Sequence, residues 1–332
     1  MWFKNLVGFD EISPEYVREH ISVKGSKLIS KINGKSFQCG SLEIPTLSDL
    51  RQQTPAIKLL NGSLHVYEIV ADVKELHCDQ SNENALFQAA SQFNLLEMVG
   101  PNITPESGID DYENDLTQGP ACAISCGAGT IYRNYFVPLN NQQGQSINNQ
   151  IDCLNLIGKK LNNYELLLWE MRNGYALLNQ DGLLNINSQL SKLNHIEREE
   201  LKGNLKIGIQ WDTEVTLSDS KHTVSQAYCS ALPVAYSQVD SKYWENFARI
   251  ILEATYEATL CASLINLDKT GCNKVYLTLV GGGAFGNDID WILESLFIAI
   301  NKFKNTPLDV GIVSYRYSDP DVRKLIDKLI FI

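Results

Sequence analysis

The sequence predicts an α/β protein, a three-layer α/β/α sandwich built on a mixed, mostly parallel sheet. Two observations lead to this class. Strand and helix patterns alternate from about 64 to 136 and again from 224 to 330, and the crossover helices of such a chain must cover both faces of a mostly parallel sheet. The strands also include continuous apolar runs such as 275–280, which are typical of strands buried on both faces.

The first elements are short. Residues 1–60 form an N-terminal extension packed on the core, with 45–50 as a loop that enters a helix. Residues 64–70 alternate between apolar and polar side chains as a strand does, and 85–90 are expected to form a second strand. A helix is expected from Pro120 to Phe136, because proline is favoured in the first turn of a helix.

The main domain is assigned to 61–332, with a helical insertion at about 140–222 that begins as a polar linker. Within this insertion, helices are expected at 151–161 and 164–178, and strands at 205–211 and 214–217. The main sheet then resumes with a segment at 225–236, a long amphipathic helix at 243–265, a strand at 275–280, a helix at 289–303, a strand at 308–315 and a helix at 322–329.

A glycine-rich loop, Gly-Gly-Gly-Ala-Phe-Gly-Asn at 281–287, lies between the strand at 275–280 and the helix after it. Strand, glycine loop and helix form the layout of a phosphate site, because free backbone N–H groups and the helix dipole attract a diphosphate. Gly281, Gly283 and Gly286 also satisfy the dinucleotide pattern G-x-G-x-x-G, which is a weak signal by itself. A tight glycine turn without a ligand is the alternative.

Composition makes one class of function less favoured. The chain has 28 basic and 39 acidic residues and a net charge of −11, which disfavours a protein that binds nucleic acid through positive charge. The 8 cysteines and 5 histidines show no metal spacing, so neither a metal nor a cofactor is expected. The cysteines are interpreted as buried thiols in a reducing, cytoplasmic compartment. No secretory signal or spanning helix is apparent, so no membrane partner is expected.

The segment 275–329 resembles the macrodomain and poly(ADP-ribose) glycohydrolase superfamily. In that superfamily a strand ending in a loop of the type G-x-G-A-F-G, a helix, and a last strand with an acidic turn form one side of an ADP-ribose cleft; here the turn is Ser318-Asp-Pro-Asp. The segment 88–135 is most similar to a divergent macrodomain branch that removes ADP-ribose from arginine, including arginine on ubiquitin.

Three features depart from common macrodomains. Gly119-Pro120 stands where the family has a run of two glycines, an acidic segment at 97–115 is inserted before it, and the helical hairpin predicted at 150–202 has no counterpart.

The resemblance implies a set of ligand contacts. Asp72 would accept the adenine amino group and Asn94 would contact the distal ribose, although a solvated turn Asp and an Asn that satisfies backbone groups are the alternatives. The diphosphate would lie between two loops, whose implied ligand-binding residues are Gln118, Gly119, Gly281, Gly282, Gly283, Ala284, Phe285, Gly286 and Asn287.

The expected catalytic groups lie in the acidic segment. Hydrolysis at an anomeric carbon needs a carboxylate that stabilises oxocarbenium-like charge or activates water, and often a second carboxyl group that protonates the leaving group. We rank Glu106 and Asp115 first as candidate catalytic residues, with Glu97 as the third candidate. A solvated loop is the plain alternative, and Asp115 is also placed to cap a helix. Carboxylates would suit an arginine-linked substrate, since guanidinium pairs with them bidentately.

Together these features predict an ADP-ribosyl hydrolase that acts on modified protein side chains, with arginine preferred and ubiquitin as one substrate. ADP-ribose and mono-ADP-ribosylated proteins would be its partners. A non-catalytic ADP-ribose reader is the first alternative, and the acid-rich segment argues against it. A nicotinamide-dependent oxidoreductase is the second. The late position of the glycine loop argues against it, because the dinucleotide fingerprint normally opens its domain.

Overall fold

The computed structural model describes residues 1–54 and 62–330. The predicted boundary between extension and main domain, at 60–61, lies outside the described residues, as does the end of the predicted main domain at 331–332. The helices are α1 Trp2–Val7, α2 Pro14–His20, α3 Leu47–Gln53, α4 Val73–Cys78, α5 Gln118–Ser125, α6 Gly127–Tyr135, α7 Asn155–Lys160, α8 Gln180–Leu190, α9 His195–Gly203, α10 Glu245–Thr270, α11 Ile289–Asn301 and α12 Pro320–Ile330. The strands are β1 Ile21–Lys24, β2 Lys27–Ser30, β3 Ser36–Gln38, β4 Ser41–Glu43, β5 His65–Val70, β6 Leu86–Ala90, β7 Pro138–Leu139, β8 Gln142–Gln143, β9 Trp169–Arg172, β10 Tyr175–Leu178, β11 Gly208–Glu214, β12 Thr223–Cys229, β13 Lys274–Leu277 and β14 Asp309–Ser314.

Within the described residues the main sheet has seven strands, in the order β4-β11-β12-β6-β13-β14-β5. Neighbours are parallel from β12 to β5, whereas β11 is antiparallel to both β4 and β12. Gln88 of β6 donates to Thr259 of α10, and the neighbouring Phe87 stacks on His77 of α4. Because adjacent side chains of a strand point to opposite faces, α10 and α4 cover opposite faces of the sheet. The predicted three-layer sandwich is confirmed.

Helix α10 is the central helix of the core. By length and composition alone it could cross a membrane, but 89% of its apolar stretch is buried inside the fold. It packs on β6, β12 and β13, so the apolar side chains predicted for 243–265 cover one face of the main sheet. The helix ends at Thr270 and is followed by Gly271, whose φ of 79° is the left-handed conformation typical of the residue after a helix.

The helix predicted at 120–136 is instead two helices. Helix α5 ends at Ser125 and α6 begins at Gly127, with Cys126 at φ −117° and ψ 58° between them. Thr216 Oγ1 accepts the N–H of Gly127 at 3.0 Å, which replaces a helical hydrogen bond with a contact from a distant loop. The break therefore depends on tertiary structure.

The helix predicted at 164–178 is wrong. Most of this segment is a hairpin in which β9 pairs antiparallel with β10 through the turn residues Asn173 and Gly174, at φ 45° and 81°. Asn-Gly is the sequence signal of a tight hairpin turn, and the apolar spacing on either side of it masked that signal. The helix expected at 151–161 is reduced to α7.

Two strands of the main sheet come from the segments assigned to the extension and the insertion. Strand β4 lies in the predicted extension, β11 lies in the predicted insertion, and the two pair with each other. Strand β11 covers parts of both strands expected at 205–211 and 214–217, with a register irregularity between Gln210 and Thr213. The division of the chain into extension, domain and insertion stays a prediction.

Candidate functional site

A cavity of about 410 Å³ lies at the carboxyl ends of the parallel strands. Residues that end or follow all five parallel strands from β12 to β5 line it: those at 71–74 and 90–92, Ala231, Tyr236, those at 278–281 and 283–285, Val313 and Tyr315. The crevice at this edge is where open α/β sheets bind ligands, because loops from several strands converge there. The remaining wall comes from 97–99, 115–121 and Tyr175.

The glycine loop presents unpaired backbone donors to this cavity. The N–H groups of Gly283, Ala284 and Phe285 make no hydrogen bond to any residue in 1–54 or 62–330, and all three residues line the cavity. A Cβ at Gly283 would meet no atom within 4 Å, so this position opens into free space. Successive free N–H groups in a turn form a concavity that binds anions.

The other loop residues hold this arrangement. Gly281 has a φ of 80°, and it lines the cavity. Asn287 donates its side-chain amide to Leu232 O at 2.8 Å and its backbone N–H to Gly281 O at 2.9 Å. Gly286, at φ 67°, makes the turn. Gly282, Gly286 and Asn287 do not line the cavity.

The start of α11 is not the donor that the sequence predicted. Asp288 caps this helix by accepting the N–H of Asp290 at 2.9 Å, and neither residue lines the cavity. The free donors therefore come from the tip of the glycine loop rather than from the helix terminus.

A second set of free donors belongs to residues of the cavity wall at the start of α5. Thr117 gives no side-chain cap, and the N–H groups of Gln118 and Gly119 have no partner in the described part of the chain. The Gln118 side chain is tied to β6, accepting from Ala90 N at 2.9 Å and donating to Gln88 O at 2.8 Å. A Cβ at Gly119 would overlap both Ala90 O and Glu97 Oε2, so glycine is required for the close approach of Glu97.

Glu97 is a buried acid in the wall of the cavity. Its side chain belongs to a residue only 3% exposed, and its Oε1 has no hydrogen-bond partner among the described residues. Burial raises the pKa of the Glu97 carboxyl well above its usual range, Arg133 opposes the rise, and Asp115 adds to it. The Glu97 N–H donates to Tyr112 Oη at 2.9 Å, which fixes the backbone at this position.

Asp115 also lines the cavity and is half-buried. Its Oδ1 accepts the N–H of Thr117 at 2.8 Å, which shapes the turn before α5. Glu106, by contrast, is exposed, accepts the N–H of Ile147 at 2.8 Å, and does not line the cavity. Of the three acids expected to be catalytic, the structure brings Glu97 and Asp115 together at one cavity and leaves Glu106 outside it.

The predicted adenine and ribose contacts differ in position. Asp72 lines the cavity and caps α4 by accepting the N–H of Lys74 at 2.8 Å. Asn94 is fully buried, does not line the cavity, and donates to Gln150 Oε1 at 2.8 Å. Its Oδ1 accepts the N–H of Leu96 at 3.1 Å, so the Asn94 side chain holds the loop internally.

An aromatic wall was missed by the sequence reasoning. Tyr175 packs on Tyr236 and Phe285 with ring centroids 5.0 Å and 5.2 Å apart, and all three residues line the cavity. Tyr175 Oη also donates to Met98 O at 2.7 Å, next to Glu97. Tyr175 belongs to β10, so the misassigned hairpin hid its role. The Asn-Gly turn was the signal that could have located it.

No group of three or more His, Cys, Asp or Glu side chains suited to a metal ion occurs in residues 1–54 and 62–330.

No protein-family model and no curated protein matches the chain. Solved structures with a similar fold include poly(ADP-ribose) glycohydrolase from Deinococcus radiodurans in complex with ADP-ribose, at 8% identity and a TM-score of 0.47 over 87% of this chain and 95% of that one. The enzyme of the same name from Thermomonospora curvata gives 10% identity and a TM-score of 0.44 over 95% of both chains, and its complex with the inhibitor ADP-HPD gives 10% and 0.42 over the same shares. Similarities of this size give no residue a role and carry no argument about function. The function proposed below rests on the cavity.

Proposed function

We propose that this chain is a glycosidic-bond hydrolase that binds ADP-ribose and releases it from modified protein side chains. One observation carries the proposal: an acid buried with a raised pKa, Glu97, shares a cavity with two separate sets of free backbone N–H groups. The first feature is that of a general acid, and the second is that of a diphosphate site without basic side chains.

The ligand would span the cavity. Its diphosphate would accept from the N–H groups of Gln118 and Gly119 on one side and of the 283–285 turn on the other. Adenine would lie toward Asp72 and Tyr315, and the distal ribose toward Glu97 and Asp115; all four residues line the cavity. Burial of the ribose beside these acids would exclude water other than the attacking molecule.

The two acids would divide the chemistry. Glu97, protonated because burial raises its pKa, would donate its proton to the departing side-chain atom as the bond to the anomeric carbon breaks. The Asp115 carboxylate would stabilise the oxocarbenium-like charge and take a proton from the water whose oxygen joins the anomeric carbon. Transfer of that proton back to Glu97 through solvent restores both groups.

Arginine is the side chain that we propose as the preferred linkage, with ubiquitin among the modified proteins. The acid-rich wall and the net charge of −11 would attract the guanidinium and its basic surroundings. The exposed Leu116 and Val99 at the cavity rim offer apolar contact to the modified protein. An intracellular, reducing location remains part of this proposal.

A reader without turnover would use the same cavity, but a partly unpaired buried carboxyl lowers stability and brings a reader no benefit. The oxidoreductase alternative has less support. After the glycine loop, the described chain contains only α11, β14 and α12, too few units for a dinucleotide fold.

The test is mass spectrometry after incubating the purified chain with proteins mono-ADP-ribosylated at arginine, serine or glutamate, and with poly(ADP-ribose). Loss of the arginine-linked modification first would support the proposal. Release from poly(ADP-ribose) alone would keep the hydrolase and replace its substrate. Binding without any release would establish the reader.

A further inference from the structure

The N-terminal extension builds a second hydrophobic core beneath the acidic segment. Phe3, Val7 and Phe9 of the extension are buried together with Leu96 and Met98. These last two residues flank Glu97 in the sequence. Their burial in this core therefore fixes the backbone on both sides of Glu97, a residue that lines the cavity.

Glu11 is the polar centre of this contact. Its Oε2 accepts the backbone N–H groups of Ile109 and Asp110 at 2.8 Å and 2.7 Å. Its Oε1 accepts the hydroxyl of Tyr135 on α6. Gly108 has a φ of 90°, and a Cβ there would overlap Glu11 Oε2, so the backbone of the acidic segment is fitted closely to this one carboxyl group.

The backbone that Glu11 binds is connected to both acids of the cavity, Glu97 and Asp115. Asp110 begins a 3₁₀ helix, Asp110–Asn114, and Tyr112 within it holds the Glu97 N–H through its hydroxyl. Asp115 follows as the residue that ends this helix. Trp2 supplies a second tie from the extension, donating its indole N–H to Ile109 O at 3.1 Å.

We propose that Glu11 is a positioning residue for the hydrolysis, holding the 109–115 segment so that Tyr112 and Asp115 keep their places around Glu97. This inference rests on the proposed function, and it gives the N-terminal extension a role in the site. Glu11 itself does not line the cavity. It acts through the backbone that it binds.

A geometric role and a charge role are separated by two substitutions. Glu11→Gln keeps an acceptor for the two N–H groups and a polar partner for Tyr135, whereas Glu11→Ala removes both. We expect Glu11→Ala to lower kcat by a factor on the order of ten to a hundred, the scale of a misplacement of about 1 Å. Glu11→Gln should stay within about threefold of the parent, and the Kd for ADP-ribose should change little in either variant.

The matched control is Glu15→Ala, in the same extension, where an exposed glutamate pairs with Arg18 at the surface. This variant should keep the parental rate, because exposed ion pairs contribute little. Hydrogen exchange supplies a readout independent of turnover: the amides of Ile109 and Asp110 should exchange faster in Glu11→Ala and at the parental rate in Glu11→Gln.

The outcomes are distinct. A normal rate and normal exchange in Glu11→Ala would overturn the inference. Equal losses in Glu11→Ala and Glu11→Gln would also overturn it, since the charge rather than the geometry would then matter. Absence of turnover in the unsubstituted chain would refute the proposed function, and with it a positioning role in hydrolysis, and it would be visible before any substitution is made.

Discussion

Glu97→Gln should make the protein more stable and much less active. The substitution keeps the shape of the side chain but removes its ionisation. In the parent, burial raises the pKa of Glu97, so the stability contributed by the protonated acid is present below its usual value of 4.5 and is lost as the pH rises through the folded value. Glutamine does not titrate, and this loss at neutral pH disappears.

The magnitudes follow from the same geometry. With the residue 3% exposed and Oε1 unpaired, the fold keeps this carboxyl protonated, whereas the unfolded chain ionises it at pH 7. Removing that difference should raise the free energy of unfolding by about 1–2 kcal/mol at pH 7, or the Tm by about 2–4 °C. Loss of the positioned proton donor should lower the hydrolysis rate by a factor on the order of a hundred or more. Asp115→Asn should lower the rate similarly without the gain in stability.

The assay combines single-turnover release of ADP-ribose from an arginine-linked substrate, calorimetry with ADP-ribose, and thermal unfolding at pH 7 and pH 4. Affinity should stay near the parental value while the rate falls, and the Tm gain should shrink at pH 4. Glu106→Gln is the comparison, and its rate should stay within about threefold of the parent because Glu106 lies outside the cavity. A normal rate in Glu97→Gln together with a large loss in Glu106→Gln would show that Glu97 is not the proton donor.

Three further predictions concern the loop, metals and pH. Gly283→Glu should abolish ADP-ribose binding in calorimetry while the far-UV spectrum is kept, because its Cβ meets no atom within 4 Å and its side chain would enter the diphosphate position; normal binding would show that the loop is not the phosphate site. Turnover should persist in excess EDTA, and a complete loss restored by magnesium or zinc would contradict the metal-free chemistry. Burial acts to raise the pKa of Glu199, but the interactions with Lys202 and Lys302 outweigh burial and hold this pKa at about 2. The stability that the Glu199 carboxylate contributes is present above pH 4.5 and is lost as the pH falls toward 2. The Tm should therefore fall more steeply from pH 6 to pH 2 in the parent than in Glu199→Gln, and parallel curves of Tm against pH would contradict this contribution.

The parallel strands could be predicted from the sequence because their apolar runs are local signals. Strands β5, β6 and β14 lie within the predicted segments, as do α11 and most of α10, and β13 begins one residue before the segment predicted for it. The glycine loop was equally local, since the run at 281–287 specifies a turn whatever surrounds it. These elements fix the edge of the sheet at which the cavity lies.

Which of the acids lie at the cavity could not be predicted. Glu97 and Glu106 are the same residue type within one acidic segment, and only tertiary packing buries the first and exposes the second. The space for Glu97 depends on the missing Cβ of Gly119, and the backbone on both sides of Glu97 is held by Leu96 and Met98 packing into the second core. No pattern within the segment 97–115 carries that information.

Hydrolysis at Glu97 is tested by a single-turnover measurement with a peptide that carries ADP-ribose on one arginine. Excess purified chain is added, and free ADP-ribose and unmodified peptide are quantified by mass spectrometry against time, for the parent and for Glu97→Gln. The proposed function predicts equal amounts of both products from the parent and at least about a hundredfold slower release from the variant. A peptide that stays fully modified, although calorimetry shows ADP-ribose bound in the cavity, would contradict it.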